Sequence, residues 1–273
     1  MDMRRNVYMI LFCLLTSVMG ADCARAQEKA SEKNMEVPKV YMFTKISAEN
    51  LVKIYEALGR EATGKVAVKL STGEPGGHNF LQPALIKDLV KKVNGTIVEC
   101  NTAYGGGRAD TENHLKAAKE HGFTAIAPVD IMDADGEVAL PVKGGKHLKE
   151  DFVGSHYLNY DFTIILSHFK GHAMGGFGGA IKNIGMGCGS RAGKKEQHTN
   201  GQPTIHEDMC RGCRRCMREC ANNGLVFDEE TKKMHIDGAN CVGCGRCIGA
   251  CNFDAIEFEN WAATKDLNCR MAE

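Results

Sequence analysis

The sequence predicts an α/β fold: a mainly parallel sheet flanked by helices, followed by a small α+β module built around cysteines. Three observations predict it. From Val37 onward, short β-rich runs alternate with amphipathic segments, the pattern of strands joined by crossover helices. Phe162–Leu166 is nearly all apolar, as a strand buried on both faces would be. Eight of the thirteen cysteines crowd into two copies of C-x2-C-x2-C-x3-C near the end of the chain. A chain of 273 residues has room for one sizeable core and one small module.

The elements follow in order. Lys39–Phe43 reads as a strand. Ser47 caps a helix that runs to Leu58, with Leu51, Ile54, Tyr55 and Leu58 on one face and Gly59 at its end. Val66–Leu70 is the next strand, Leu81–Val93 a helix, Thr96–Cys100 a third strand, and Thr111–His121 a helix stopped by Gly122. Ala125–Met132 and Glu137–Val142 flank Asp135-Gly136, which predicts a hairpin between them.

In open α/β sheets ligands sit at the carboxyl ends of strands, so the segments following the strands matter most. Three carry glycine beside charged or imidazole groups: Ser71–Asn79, Asn101–Arg108 and Ser167–Asn183. The third precedes a helix, a setting in which backbone N–H groups receive a phosphate or carboxylate. Its spacing is neither that of a Walker loop nor that of a dinucleotide fingerprint. The competing reading is that these glycines serve only tight turns and close packing. Lys170 and Lys182 are the candidate cations for an acidic substrate, and His168 and His172 the candidate proton carriers or, less simply, a metal-binding pair. Solvated surface is the alternative for both lysines. Glu74 and Glu99 sit where general bases would, or else play capping roles. Cys100 and Cys188 lie outside the cysteine runs and are expected to pack as small apolar groups, with a redox role for Cys188 as the alternative.

The cysteine runs are Cys210, Cys213, Cys216, Cys220 and Cys241, Cys244, Cys247, Cys251. Tight x2 spacing lets three thiolates converge on one iron–sulfur cube while the fourth is carried to the other cluster. Two 4Fe–4S clusters are expected, one held by Cys210, Cys213, Cys216 and Cys251, the other by Cys241, Cys244, Cys247 and Cys220. Gly212 and Gly243 occupy the same place in both copies, where a sharp turn brings backbone N–H groups toward sulfur. Zinc ribbons use two well-separated C-x2-C pairs and leave the third cysteine of each run without a place. A disulfide framework fits repeated metal spacing poorly. Residues 205–258 resemble the two-cluster bacterial ferredoxin module, although Ala221 and Asn252 stand where that pattern has proline. Leu225-Val226-Phe227 is expected to pair with Met234-His235-Ile236 in a short hairpin. Arg211, Arg214, Arg215 and Arg218 crowd the first run, where they raise a cluster's potential, dock an acidic electron donor, or are simply solvated.

Thirty-four basic and thirty-four acidic side chains cancel, so nothing favours nucleic acid or an anionic membrane surface. Arg4-Arg5 precedes an apolar run from Val7 to Met19 and the cleavage-like Ala24-Arg25-Ala26, so residues 1–26 read as a signal peptide. The run is shorter than the about 20 residues a membrane span needs. Cys23 is a poor lipidation site, because Asp22 precedes it. An exported, periplasmic protein is expected, with a cytoplasmic one as the alternative. The strongly apolar Ile10–Leu15 core looks more like the ordinary secretory route, whereas twin arginine loosely fits export of an already folded chain. Replacing Arg4 and Arg5 by lysine is therefore expected to trap the protein inside the cell; undisturbed export in a fractionation assay would count against this route.

The stretches VAVKLSTGEPGGHNFLQP, ECNTAYGGGR, APVDIMDADGE and LSHFKGHAMGGFGGAIKNIGMGCGSRAGK resemble the family labelled domain of unknown function 362, over roughly residues 37–200. The resemblance implies iron–sulfur binding, since the family is often joined to a ferredoxin module. Relatives of this kind continue past that module, so Trp261–Glu273, within residues 259–273, reads as a helical remnant of a truncated chain with an uncovered sheet edge. The expected function is electron transfer by an iron–sulfur oxidoreductase acting on a small anionic substrate or with a redox partner protein. The alternative is a non-catalytic carrier or a cluster-bearing sensor or structural module.

Overall fold

The computed structural model describes residues 38–273 except 104, 105, 173, 174, 199–201, 221, 242, 244 and 258–260. The expected signal peptide, with Arg4, Arg5 and Cys23, lies outside the described residues, as does Cys244.

Ser47, in extended conformation, caps α1 (Ala48–Ala57) by accepting a hydrogen bond from the Asn50 amide at 3.2 Å. Strand β1 (Val66–Lys69) leads through α2 (Pro83–Lys92) to β2 (Thr96–Glu99), and through α3 (Thr111–Glu120) to β3 (Val129–Ile131). Asp110 caps α3 from its first turn, and Gly122 ends it at φ +88°. Next come the antiparallel ribbon β4 (Glu137–Pro141) and β5 (Glu150–Gly154), then β6 (Phe162–Ile165), which returns to the other side of β1. The main sheet has the order β3-β2-β1-β6, all parallel.

The alternation along β1 explains how both faces are covered. Val66 and Val68 face a core with Ile86, Leu89 and Val90 of α2, Leu51 of α1, and Phe123. Each fully buried aliphatic side chain of this kind stabilises the fold by about 1.5–3 kcal/mol. Ala67 faces the opposite layer with Val98, Cys100, Met132 and Cys188.

Three expectations need correction. Residues 39–43 are exposed coil, because they pair with no strand among the described residues, and β-propensity without a pairing partner does not make a strand. Asp135-Gly136 is a turn, with Gly136 at φ +111°, but it joins no hairpin between its flanks: β3 belongs to the parallel sheet, and β4 pairs with β5. The strand buried on both faces is β1; β6 is an edge strand and only partly buried, since its apolar run covers one side of the sheet.

Past β6 the chain forms a second ribbon, β7 (Lys170–His172) with β8 (Gly176–Gly178), then α4 (Ala180–Cys188) and α5 (Arg191–Gln197). The cysteine module contains β9 (Thr204–Ile205), α6 (Arg215–Glu219), the hairpin β10 (Leu225–Phe227) and β11 (Met234–Ile236), α7 (Arg246–Ala250) and β12 (Ile256–Glu257), which pairs back onto β9. The hairpin has the expected register, with Val226 opposite His235. The chain then enters α8 (Trp261–Ala272), whose Leu267 and Met271 pack on Met186 of α4 and Ile248 of α7. Gly185 permits this approach, since a Cβ there would sit 2.7 Å from the Met271 carbonyl oxygen. The Glu273 side chain accepts hydrogen bonds from the Lys146, His147 and Leu148 amides.

Candidate functional site

Because β2 and β3 lie on one side of β1 and β6 on the other, the connections after β1 and β6 diverge. That divergence opens a crevice at the carboxyl ends of the strands. Asn183 of α4 spans it. Its amide nitrogen donates to the Leu166 carbonyl at 3.0 Å and to Ser167 Oγ at 3.1 Å, while its oxygen accepts from Lys69 Nζ at 2.8 Å. Lys69 is completely buried and also donates to the Leu70 carbonyl. Gly187 makes room for it: a Cβ there would lie 2.4 Å from Nζ.

The third glycine-bearing segment does not form one open cradle; it folds as the β7–β8 ribbon, with Gly176 at φ +74°, before α4 begins. His168 lies just before the ribbon, Lys170 and His172 on β7, and Lys182 in the first turn of α4. Lys182 is half-buried and its stem runs against Gly178. Burial, then the cations Lys170, Lys194, Lys69 and Arg108, push the Lys182 ammonium down to about 8. Burial, then Lys182, His198 and Lys170, push His172 down to about 4; His168 is also lowered, by burial and Lys170. At neutral pH Lys182 is therefore a cation among cations, and His172 is a neutral, weakly basic ring whose Nδ1 accepts from the Gly175 amide at 2.9 Å, which leaves the N–H on Nε2. Among the described residues no group of three metal-ligating side chains gathers around the two histidines.

Glu99 and Glu74 turn out to be held by Arg108. Glu99 is buried, with Arg108 Nη1 at 3.1 Å, the Thr72 amide and hydroxyl at 2.8 and 2.7 Å, and His114 Nε2 at 3.2 Å. Arg108 Nη2 reaches Glu74 at 2.7 Å. Burial alone would raise the Glu99 carboxyl, but Arg108, His114 and Lys69 together hold it well below the usual carboxylate range. A permanently ionised, fully engaged carboxylate is a structural anchor rather than a base. Two glycines of these segments serve close packing, Gly107 against Pro75 and Gly73 against Phe80. Cys100 and Cys188 are buried, and burial pushes the Cys100 thiol up to about 12, so both pack as apolar groups.

In the cysteine module, the two runs repeat in backbone conformation as well as in sequence. Left-handed residues recur at a constant offset of 31: Gly212 and Gly243, Arg214 and Gly245, Asn223 and Asp254. At Gly212 a Cβ would fall 2.2 Å from the Lys232 carbonyl oxygen, so the turn is closed to any other residue. Amides point at sulfur, Gly212 N at 3.5 Å from Cys210 Sγ and Gly224 N at 3.2 Å from Cys220 Sγ. One recess is lined by Cys210, Cys213 and Cys216 together with Cys251 of the other run. Burial, then the Cys210, Cys213 and Cys251 thiols, raise the Cys216 thiol. Four thiols around one apolar cavity, with amides donating to sulfur, fit a cubane cluster. Arg214 is engaged, stacked 3.6 Å over the Phe227 ring and paired with Glu229 at 3.0 Å.

Sequence reasoning missed His198 and the Glu99–Arg108–His114 network. His198 follows α5, lies against Lys182, and hydrogen-bonds the backbone of Gly243, between Cys241 and Cys244. Its Nδ1 is buried with no hydrogen-bond partner among the described residues. Nothing in its local sequence marks it; Arg108 carried a signal only as the end of a glycine run.

No curated protein matches the chain. A model described as a 4Fe-4S dicluster domain matches residues 209–255, which makes the cysteine module an iron–sulfur electron-carrier module. The model described as domain of unknown function DUF362 matches residues 66–221, over half of the chain, and spans both the sheet and its crevice: the protein belongs to the DUF362 family.

Proposed function

We propose that the chain binds two 4Fe–4S clusters and couples them to a redox reaction at the carboxyl end of the α/β sheet. Cluster one takes Cys210, Cys213, Cys216 and Cys251; cluster two takes Cys241, Cys244, Cys247 and Cys220. The observation that carries this is the single cavity bordered by three thiols of the first run and the last thiol of the second. When bound, such clusters supply one-electron transfer at potentials between roughly −700 and +450 mV. Lys182, with Lys170 close by, holds a small anionic substrate, and neutral His172, whose Nδ1 accepts from the Gly175 amide, offers it an Nε2–H donor. The surplus of cations around Lys182 supports an anion there, because a buried positive group without a counter-charge is costly. Export of the folded chain belongs to the same proposal.

Anaerobic purification with iron, sulfide and zinc analysis and electron paramagnetic resonance tests it. About eight irons per chain are expected, and fewer than about six would overturn the paired assignment. The exposed Cys213 also suits a simple carrier without chemistry of its own. Reoxidation of the dithionite-reduced protein that depends on an added carboxylate or phosphate compound would mark an enzyme; fast exchange with ferredoxins and no small-molecule turnover would mark a carrier.

A further inference from the structure

The two cysteine runs face different surroundings. Around the second, α7 is closed in: Ile248 packs on Met186, Leu267 and Met271, Gln202 donates to the Gly238 carbonyl, and His198 meets Gly243. Around the first, Cys213 is exposed, and the cavity it borders opens between Arg211, Arg214 and Arg215. Arg215 and Arg218 project from the five-residue helix α6, and both are exposed, as is Arg211. Of the four arginines here, Arg214 is paired with Glu229, whereas the ion pairs of the described residues include no acidic partner for Arg211, Arg215 or Arg218. Met217 and Phe253 lie on the same module, 44% and 43% exposed, and Phe253 lines the same cavity. An exposed aromatic and a methionine beside an arginine rim is the composition of a protein-docking patch.

From this geometry we infer that the face around Cys213 is the docking surface for an acidic one-electron carrier protein. Charge complementarity selects the occupant: three exposed arginines with no ion-pair partner among the described residues, in a chain of zero net charge and with Glu219 of α6 paired to Arg246, attract a negative patch and orient it over the outward-facing thiol. In the transfer step the reduced carrier gives up one electron and the cluster held by Cys213 gains one; no covalent bond forms or breaks. The second run, set against the α/β domain, is then the inner station. The inference rests on the paired-cluster proposal above.

The test uses the anaerobic holoprotein and reduced flavodoxin, an acidic carrier, followed by stopped-flow absorbance, with the Kd of oxidised flavodoxin measured by titration calorimetry. The second-order rate constant is expected to fall at least tenfold between about 20 and 500 mM salt, since exposed charges are largely screened at the higher value. The variant Arg215→Glu/Arg218→Glu is expected to lower the low-salt rate at least tenfold, weaken binding by a similar factor, and remove the salt dependence. Its reduction by the cationic methyl viologen radical should be undiminished. Lys87→Glu/Lys91→Glu on α2 is the control and should change none of these. A salt-independent wild-type rate, or an α6 variant that binds and reacts like wild type, overturns the inference. Iron content and the resonance spectrum of each variant separate this outcome from failure of the cluster proposal itself.

Discussion

Replacing Cys251 by alanine is expected to remove iron from the first cysteine run rather than from its own. Iron should drop from about eight to about four per chain. Double substitution then tells the pairing apart. If Cys251 completes the cavity formed by Cys210, Cys213 and Cys216, Cys213→Ala/Cys251→Ala should retain about the same iron as either single variant, because both remove the same cluster. Cys241→Ala/Cys251→Ala should retain almost none. An uncrossed arrangement reverses the two results. Iron analysis and resonance spectra of the four proteins are sufficient, and the amide donors at Cys210 and Cys220 make the wild type the reference for a fully supported thiolate set.

The second large effect is expected at Glu99. Removing one member of a buried ion pair leaves the other uncompensated, at a cost of about 3–5 kcal/mol. Glu99→Ala leaves the buried Arg108 with only the partly exposed Glu74 carboxylate, and also deprives Thr72 and His114 of their acceptor. The pH dependence follows from the depressed carboxyl. In the unfolded chain Glu99 takes up a proton near its ordinary value of 4.5, while in the folded chain it stays ionised to lower pH. Its stabilisation is thus fully present above 4.5 and is lost as pH falls from there through the folded value. The gap between wild type and Glu99→Gln should be flat from pH 7 to about 5 and shrink below 4.5. Denaturant midpoints by far-ultraviolet circular dichroism read this, and a gap that widens in acid would contradict the assignment.

Much of the fold was legible where local signals and burial agree. Ser47 and Gly122 mark helix ends because capping and left-handed turns depend on the residue at hand. The cysteine spacing carried the module for the same reason. What escaped depends on neighbours far along the chain. Residues 39–43 have strand composition and no strand to pair with, and Val129–Ile131 went to the sheet because Ile131 is buried beside β2. At the site, Lys170, His172 and Lys182 do come together, but the neutral state of His172 comes from burial and from Lys182, His198 and Lys170, which no local pattern announces. His198 was invisible because its meaning lies in Gly243, 45 positions away in the chain.

The return of α8 to α4 fastens the cysteine module to the α/β domain on both flanks. Met271 and Leu267 hold it on one side, and the Arg270 guanidinium reaches the Glu196 and Gln197 carbonyls just ahead of the module on the other. These contacts hold the module at both of its chain ends. Under the proposed coupling, exchange between module and crevice is an intramolecular, first-order event: diluting the protein should slow its meeting with an outside carrier and leave the internal hop untouched.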